Sequence, residues 1–229
     1  MSTSAPPSTQ SLTNQPPTAD LPVHLTRFIG RDHELGELGR LINATRLLTL
    51  TGAGGSGKTR LAREVAATAA GHYARTAWVD LAPITDASSI AREVATSLHI
   101  PDRGGRPTEA LTSTIGDTPM LLILDNCEHL VDAAAELTEL LLRSCHKLSI
   151  LATSREALGI PSETAWLVPP LASAEAMQLF VERAQAALPS FDINDSNVTV
   201  GYGALACEPR EGASTTDLDR YRGTCLAAS

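Results

Sequence analysis

Two spacings of apolar residues alternate along the chain. Short, nearly continuous apolar runs occur at Leu47-Leu48-Thr49-Leu50, from Ala74 to Leu81 with Trp78 and Val79, at Met120-Leu121-Leu122-Ile123-Leu124 and from Leu148 to Ala152. Trp166-Leu167-Val168-Pro169-Pro170 is a fifth, shorter one. Runs of this kind are expected of strands buried on both faces. Between them, apolar residues recur every three or four positions, which is the stripe of an amphipathic helix. Such stripes include Leu35, Leu38, Leu41 and Ile42; Leu61, Val65 and Ala69; Leu130, Ala134, Leu137 and Leu141; and Leu179, Phe180 and Ala184. Ser88 to Leu98 and about Thr108 to Ile115 read as two further helices. Strand and helix in alternation predict an α/β domain.

The pattern also sets the expected boundaries. Residues 1–20 are Ser, Thr, Pro, Gln and Asn with almost no large apolar groups. Such a segment buries too little surface to offset its chain entropy and is expected to be a disordered leader. Residues 21–190 carry the periodic pattern and form the expected folded domain, with Pro101 to Pro107 a loop by composition. Residues 191–229 are expected to be an irregular tail, because no helical or strand period survives after about Val198.

Composition narrows the class. Of the 229 residues, 43% are hydrophobic and 19% charged, which is ordinary for a globular chain. Aromatics are only 3%, so Leu, Val, Ile and Ala must build the core. A net charge of −8 argues against a nucleic-acid surface in this chain. The N-terminus lacks a basic start followed by an apolar core, and the apolar run near Met120–Leu124 is far too short to span a bilayer. A cytoplasmic protein without a membrane partner is expected. Cys127, Cys145, Cys207 and Cys225 are not expected to form a disulfide framework. Cys127 and Cys145 bracket one expected helix and would stand about 27 Å apart along it. Cys127 and His129 lie about 200° apart on a helix, so they are not expected to converge on a metal.

The chemistry is concentrated in Gly52-Ala53-Gly54-Gly55-Ser56-Gly57-Lys58-Thr59. An apolar run precedes it and a helical pattern opens at Arg60, so the context is strand, glycine loop, helix, as a phosphate-binding loop requires. Glycines at 52, 54, 55 and 57 let successive backbone N–H groups turn toward phosphate oxygens. The positive end of the following helix faces the same anion. Lys58 is placed to reach the β- and γ-phosphates, and the Thr59 hydroxyl to ligate Mg²⁺. The backbone from Gly52 through Arg60 is the expected nucleotide-binding segment.

Other candidates stand at strand ends. Asp125 closes the third apolar run, at the carboxyl edge where open α/β sheets bind ligands. It is expected to organise Mg²⁺ opposite Thr59; an N-capping Asp ahead of the next helix is the plainer alternative. Arg155, just past the fourth run, reads either as a phosphate contact or as a surface residue in a turn. Asp80 reads as a loop-capping carboxylate or a ligand contact. Phe28-Ile29-Gly30-Arg31, ahead of Asp32, is either the entry turn of a docked helix or the frame of a base pocket.

Phe28-Ile29-Gly30-Arg31, the glycine loop, Leu121 to Leu130 and Thr153-Ser154-Arg155-Glu156 occur in one order. Together they resemble the NB-ARC-like ATPase module of bacterial STAND regulators, above all the large LuxR-type and antibiotic-regulatory transcription factors. The resemblance covers about residues 22–188. It implies a P-loop NTPase fold: a parallel five-stranded sheet with helices on both faces, three layers in all, and the fourth strand between the first and third. It implies ATP or ADP with Mg²⁺ as ligands, Lys58, Asp125 and Arg155 as the working groups, and Ile29, Gly30 and Arg31 on the adenine side. Members of the family act as nucleotide switches, and self-association in the active state is implied with that role.

Two departures from the family qualify the expectation. Asn126 stands where vigorous P-loop ATPases place a second carboxylate, and an amide does not accept a proton as a carboxylate does. Glu128 is three residues along a turn, at a distance not expected to replace it. Slow or absent hydrolysis is therefore expected. The family also continues into a helical segment with a Gly-Leu-Pro-Leu signature and often a DNA-binding domain; neither motif occurs in this sequence. A truncated member with a foreign, frameshifted tail is one expectation, and an ordinary flexible C-terminus the other. The rival functions are a P-loop small-molecule kinase and a protein-interaction fragment without turnover.

Overall fold

The structure is a computed structural model that describes residues 19–20, 30–102, 104–171, 173–188 and 191. Residues 1–18 of the expected leader, Ile29, Cys207, Cys225 and the tail beyond residue 191 lie outside the described residues.

Among the described residues, six strands form one sheet: β1 (Ala19–Asp20), β2 (Leu47–Thr51), β3 (Arg75–Asp80), β4 (Met120–Asp125), β5 (Leu148–Thr153) and β6 (Glu163–Leu167). Their order is β1-β3-β4-β5-β2-β6, and every neighbouring pair is parallel. The five-stranded parallel core expected from the resemblance is β2 to β6, with β5 between β2 and β4. The added strand β1 pairs Ala19 with Thr76 and Asp20 with Ala77 at one edge. Edge pairing uses backbone groups alone, so no apolar pattern announced it in the expected leader.

Helices α1 (Asp32–Ala44), α2 (Lys58–Ala69), α3 (Ile90–Ser97), α4 (Pro107–Ile115), α5 (Val131–Ser144) and α6 (Ser173–Ala187) complete the described elements, with short 3₁₀ turns at Ala70–His72, Ala87–Ser89 and Cys127–His129. The alternation of side chains along each strand separates two cores. Leu48, Leu50, Leu121, Ile123 and Leu151 face α1 and α2. Leu47, Leu122, Leu124, Ile150 and Ala152 face α3, α4 and α5. All six positions of β4 are buried, which only a strand covered on both sides allows. This is the three-layer αβα arrangement. Truncating a core residue such as Ile123 to Ala would cost about 2–5 kcal/mol.

Local differences from the sequence expectation have local causes. The helix expected from Ser88 begins with a 3₁₀ turn, because Asp86 caps it by accepting from the Ser88 N–H at 3.1 Å. β6 begins at Glu163, three residues before the apolar run that signalled it. It is an edge strand without a fully buried position, so its first half carries no apolar signature. Parallel pairing puts the carboxyl ends of β2 to β6 on one side of the molecule. β2 is followed by a crossover to one side and is flanked on the other by β6, so the loop after it sits at the switch point of the sheet.

Candidate functional site

The loop after β2 is built for close backbone approach to an anion. Gly57 has φ 89° and stands immediately before α2, a backbone conformation that side-chain-bearing residues rarely adopt. Gly52 has φ 145°, and a β-carbon there would lie 3.2 Å from Ser56 Oγ and 3.4 Å from the Val168 carbonyl oxygen. The loop is thus wedged between its own hydroxyl and the segment after β6.

Lys58 opens α2 and is 7% exposed. Its ammonium curls back over the loop, donating from Nζ to the carbonyls of Gly52 at 2.8 Å and Ala53 at 3.0 Å. Burial lowers its pKa, a cost opposed by the negative charges of Glu128 and Asp125 and increased by Arg155. The cation is therefore held where a polyanion would be its best partner.

Thr59 and Asp125 meet as the sequence predicts. Thr59 Oγ1 donates to Asp125 Oδ1 at 3.0 Å, and Thr153 Oγ1, at the end of β5, donates to the same oxygen at 2.5 Å. Asp125 is 2% exposed. Burial raises its pKa first of all; the two hydroxyl donors and Arg63 oppose that shift, and Asp80 adds to it. A buried carboxylate that costs energy to ionise, facing a hydroxyl across 3.0 Å, is a set of hard oxygen donors suited to Mg²⁺. The capping alternative for Asp125 is not used: α5 starts six residues on, at Val131.

Asn126 turns the chain sharply after β4, with φ 63°. Its N–H donates to Thr153 Oγ1 at 3.0 Å, and its amide nitrogen donates to Asp80 Oδ1 at 2.8 Å and Asp125 Oδ2 at 3.3 Å. Asp80 also accepts from the Ala82 N–H at 3.0 Å, so it caps its loop and fixes Asn126 at once.

Arg155 lies beside the glycine loop: a β-carbon placed on Gly54 would be 3.7 Å from its Nη2. Its Nε is 3.7 Å from Glu128 Oε1. Glu128, not expected to reach the site, is brought into it by the Asn126 reversal and the 3₁₀ turn. The sequence carried no signal for that reversal, since Asn in left-handed backbone is not marked by periodicity. Thr153 was also missed as a partner of Asp125; its place at the end of a strand beside β4 was the available sign.

Arg31 is 5% exposed and in left-handed backbone, with φ 67°. Its Nη2 donates to the Ser56 carbonyl at 2.8 Å and the Pro169 carbonyl at 3.0 Å. It therefore joins the chain ahead of α1 to both the glycine loop and the segment after β6. Burial lowers its pKa, opposed by Glu34 and Glu175. The Glu175 carboxylate of α6 packs against Gly30, where an added β-carbon would lie 2.5 Å from Glu175 Cδ. Arg60 on α2 lies in the field of α6: after burial, Arg183 lowers its pKa most, with Glu64 and Glu182 opposing. Among the described residues, no helix is long and apolar enough to cross a membrane.

Comparison with known proteins agrees with this geometry. Residues 42–160 match the family described as AAA domain. An uncharacterized protein of Mycobacterium tuberculosis (strain H37Rv) is 44% identical over 182 residues, 78% of this chain and 46% of the relative. A protein of the same strain named "Putative HTH-type transcriptional regulator" is 45% identical over 159 residues, 69% of this chain and 18% of the relative. The chain thus spans about half the length of the first relative and less of the second. Among solved structures, the Cdc6 protein of Pyrobaculum aerophilum superposes with TM-score 0.56 at 20% identity, covering 72% of this chain and 52% of that one. A Signal Transduction ATPase with Numerous Domains (STAND) protein with a tetratricopeptide repeat sensor, from Pyrococcus horikoshii, gives 0.50 at 22% identity, covering 72% of this chain and 26% of that one. At these identities the structural likenesses establish the fold.

Proposed function

The chain belongs to the AAA domain family of P-loop ATPases, and from that premise we propose that it is an ATP/ADP-binding switch module of a STAND-type signalling or transcriptional regulator. The observation that carries the proposal is the convergence of Lys58, Thr59 and Asp125 on one loop mouth, beside Arg155. The relative named as a transcriptional regulator supports the regulatory setting.

In this reading the loop amides and Lys58 bind the β- and γ-phosphates. The Thr59 hydroxyl and the Asp125 carboxylate would hold Mg²⁺. When bound, Mg²⁺ neutralises charge on the phosphates. Arg155 contacts the γ-phosphate, a group that ATP has and ADP lacks, and so supplies the differential contact a switch needs. Gly30 and Arg31 frame the adenine side. Gly52 to Arg60 form the binding segment, with Arg60 turned toward α6. The module works in the cytoplasm, without a membrane or nucleic-acid partner of its own, and self-associates in the triphosphate state. The nucleotide-binding domain is taken as residues 21–190, with the edge strand Ala19–Asp20 added to it.

Hydrolysis is slow. The Asn126 side chain is an amide, which does not accept a proton as a carboxylate does, and its nitrogen is held by Asp80 and Asp125. Phosphate release measured on purified protein with ATP and Mg²⁺ is expected to fall far below the roughly 10 s⁻¹ typical of enzymes. A turnover at that level contradicts this part of the reading.

A further inference from the structure

The turn that carries Glu128 is pinned on both sides. Cys127 Sγ donates to the Leu124 carbonyl at 3.4 Å, the Leu130 N–H donates to the Cys127 carbonyl at 3.0 Å, and the His129 Nε2 lies 2.8 Å from the Ile84 carbonyl oxygen. The backbone that carries Glu128 is thereby fixed. One oxygen faces Arg155 at 3.7 Å; the other is buried without a hydrogen-bond partner. Arg155 is the looser member, with 60% of its side chain exposed against 23% for Glu128. Its guanidinium spans the gap between that carboxylate and Gly54 of the phosphate loop.

We propose that Glu128 is a specificity-determining residue: it holds Arg155 beside the phosphate loop, and a bound nucleoside triphosphate takes Arg155 from it while a diphosphate does not. The inference rests on the nucleotide reading above and assigns that site's discrimination between the two ligands to one pair of side chains. A pair 3.7 Å apart with an exposed member is a weak ion pair, not a charge-assisted hydrogen bond. A γ-phosphate offers the same guanidinium a fork of charged acceptors and is the stronger partner. The exchange has a cost, because it removes one of the two cations, Arg155 and Lys58, that face the part-buried Glu128 carboxylate. A diphosphate leaves the Glu128–Arg155 pair intact and avoids that cost. Glu128 therefore biases the resting site toward the diphosphate, and Arg155, already beside the loop, loses little side-chain freedom when it changes partner.

A double-mutant cycle tests this. Fluorescent ADP and a fluorescent non-hydrolysable triphosphate analogue are titrated, with Mg²⁺, into wild type, Glu128→Gln, Arg155→Ala and the double variant. Glu128→Gln keeps the shape of the side chain and removes its charge. It is expected to raise the triphosphate-over-diphosphate preference by about tenfold when Arg155 is present and by only about twofold when it is absent, a coupling in the range of a single exposed ion pair. An equal factor in both backgrounds would mean that Glu128 acts by simple charge repulsion, and overturns the inference alone; so does an unchanged preference. Wild-type protein that binds neither nucleotide overturns the nucleotide reading itself, and the inference with it.

Discussion

Thr59 Oγ1 and Asp125 Oδ1 stand 3.0 Å apart, joining the first turn of α2 to the last residue of β4. They are 66 positions apart in the chain, and it is the parallel sheet that brings them together. In the nucleotide reading, the space they share is the Mg²⁺ position. Thr59→Val preserves shape and deletes the hydroxyl; Asp125→Asn preserves shape and deletes the charge. Each is expected to cut the gain in ATP affinity on adding Mg²⁺ by about 10–100-fold. Titration of each variant with and without Mg²⁺ checks this, and an Mg²⁺ dependence equal to that of wild type would show that the pair is only structural.

Arg31 stitches the entry of α1 to the phosphate loop and to Pro169 through two charge-assisted hydrogen bonds. Arg31→Ala leaves the Ser56 and Pro169 carbonyls without that donor. The expected loss of stability is about 1–3 kcal/mol, since burial of the guanidinium already consumes part of the gain from its bonds. Urea unfolding of the ligand-free protein measures it. An unchanged midpoint would mean that backbone contacts alone hold the loop.

Burial pushes the Cys127 thiol up to about 12 from its ordinary 9.0, with the negative charges of Asp125 and Glu128 adding to the shift. The neutral thiol is the favoured form in the fold. Its contribution to stability is fully present below pH 9.0 and is lost as pH rises toward about 12. Native protein treated with iodoacetamide at pH 8 is expected to leave Cys127 unmodified, and protein in denaturant to react fully. Mass spectrometry of the peptides distinguishes the two. Rapid native labelling of Cys127 would show that the turn after β4 opens readily.

Much of the fold was legible because each core strand announces itself by composition. Met120 to Leu124 is apolar without interruption, and only a doubly covered strand tolerates that. The glycine loop was legible for a different reason: its residues are set by backbone conformation and charge, which a short motif records directly. The geometry after β4 was not. Whether Glu128 enters the site depends on one residue, Asn126, adopting left-handed backbone, and on Asp80 and Thr153 from neighbouring strands accepting its donors. Those are contacts between distant segments, and no local spacing encodes them. Arg31 shows the same limit. Its position ahead of α1 was clear, but its two acceptors lie 25 and 138 positions away.

The central claim is that the loop from Gly52 to Thr59 binds nucleotide through Lys58. The most direct measurement is an equilibrium titration of purified protein with fluorescent ADP and ATP, with and without Mg²⁺, beside Lys58→Ala. The account predicts submicromolar binding to wild type, on the order of −8 kcal/mol or stronger, lost or greatly weakened in Lys58→Ala while the variant stays folded by circular dichroism. Unchanged affinity in the variant, or no binding by folded wild type, would contradict it.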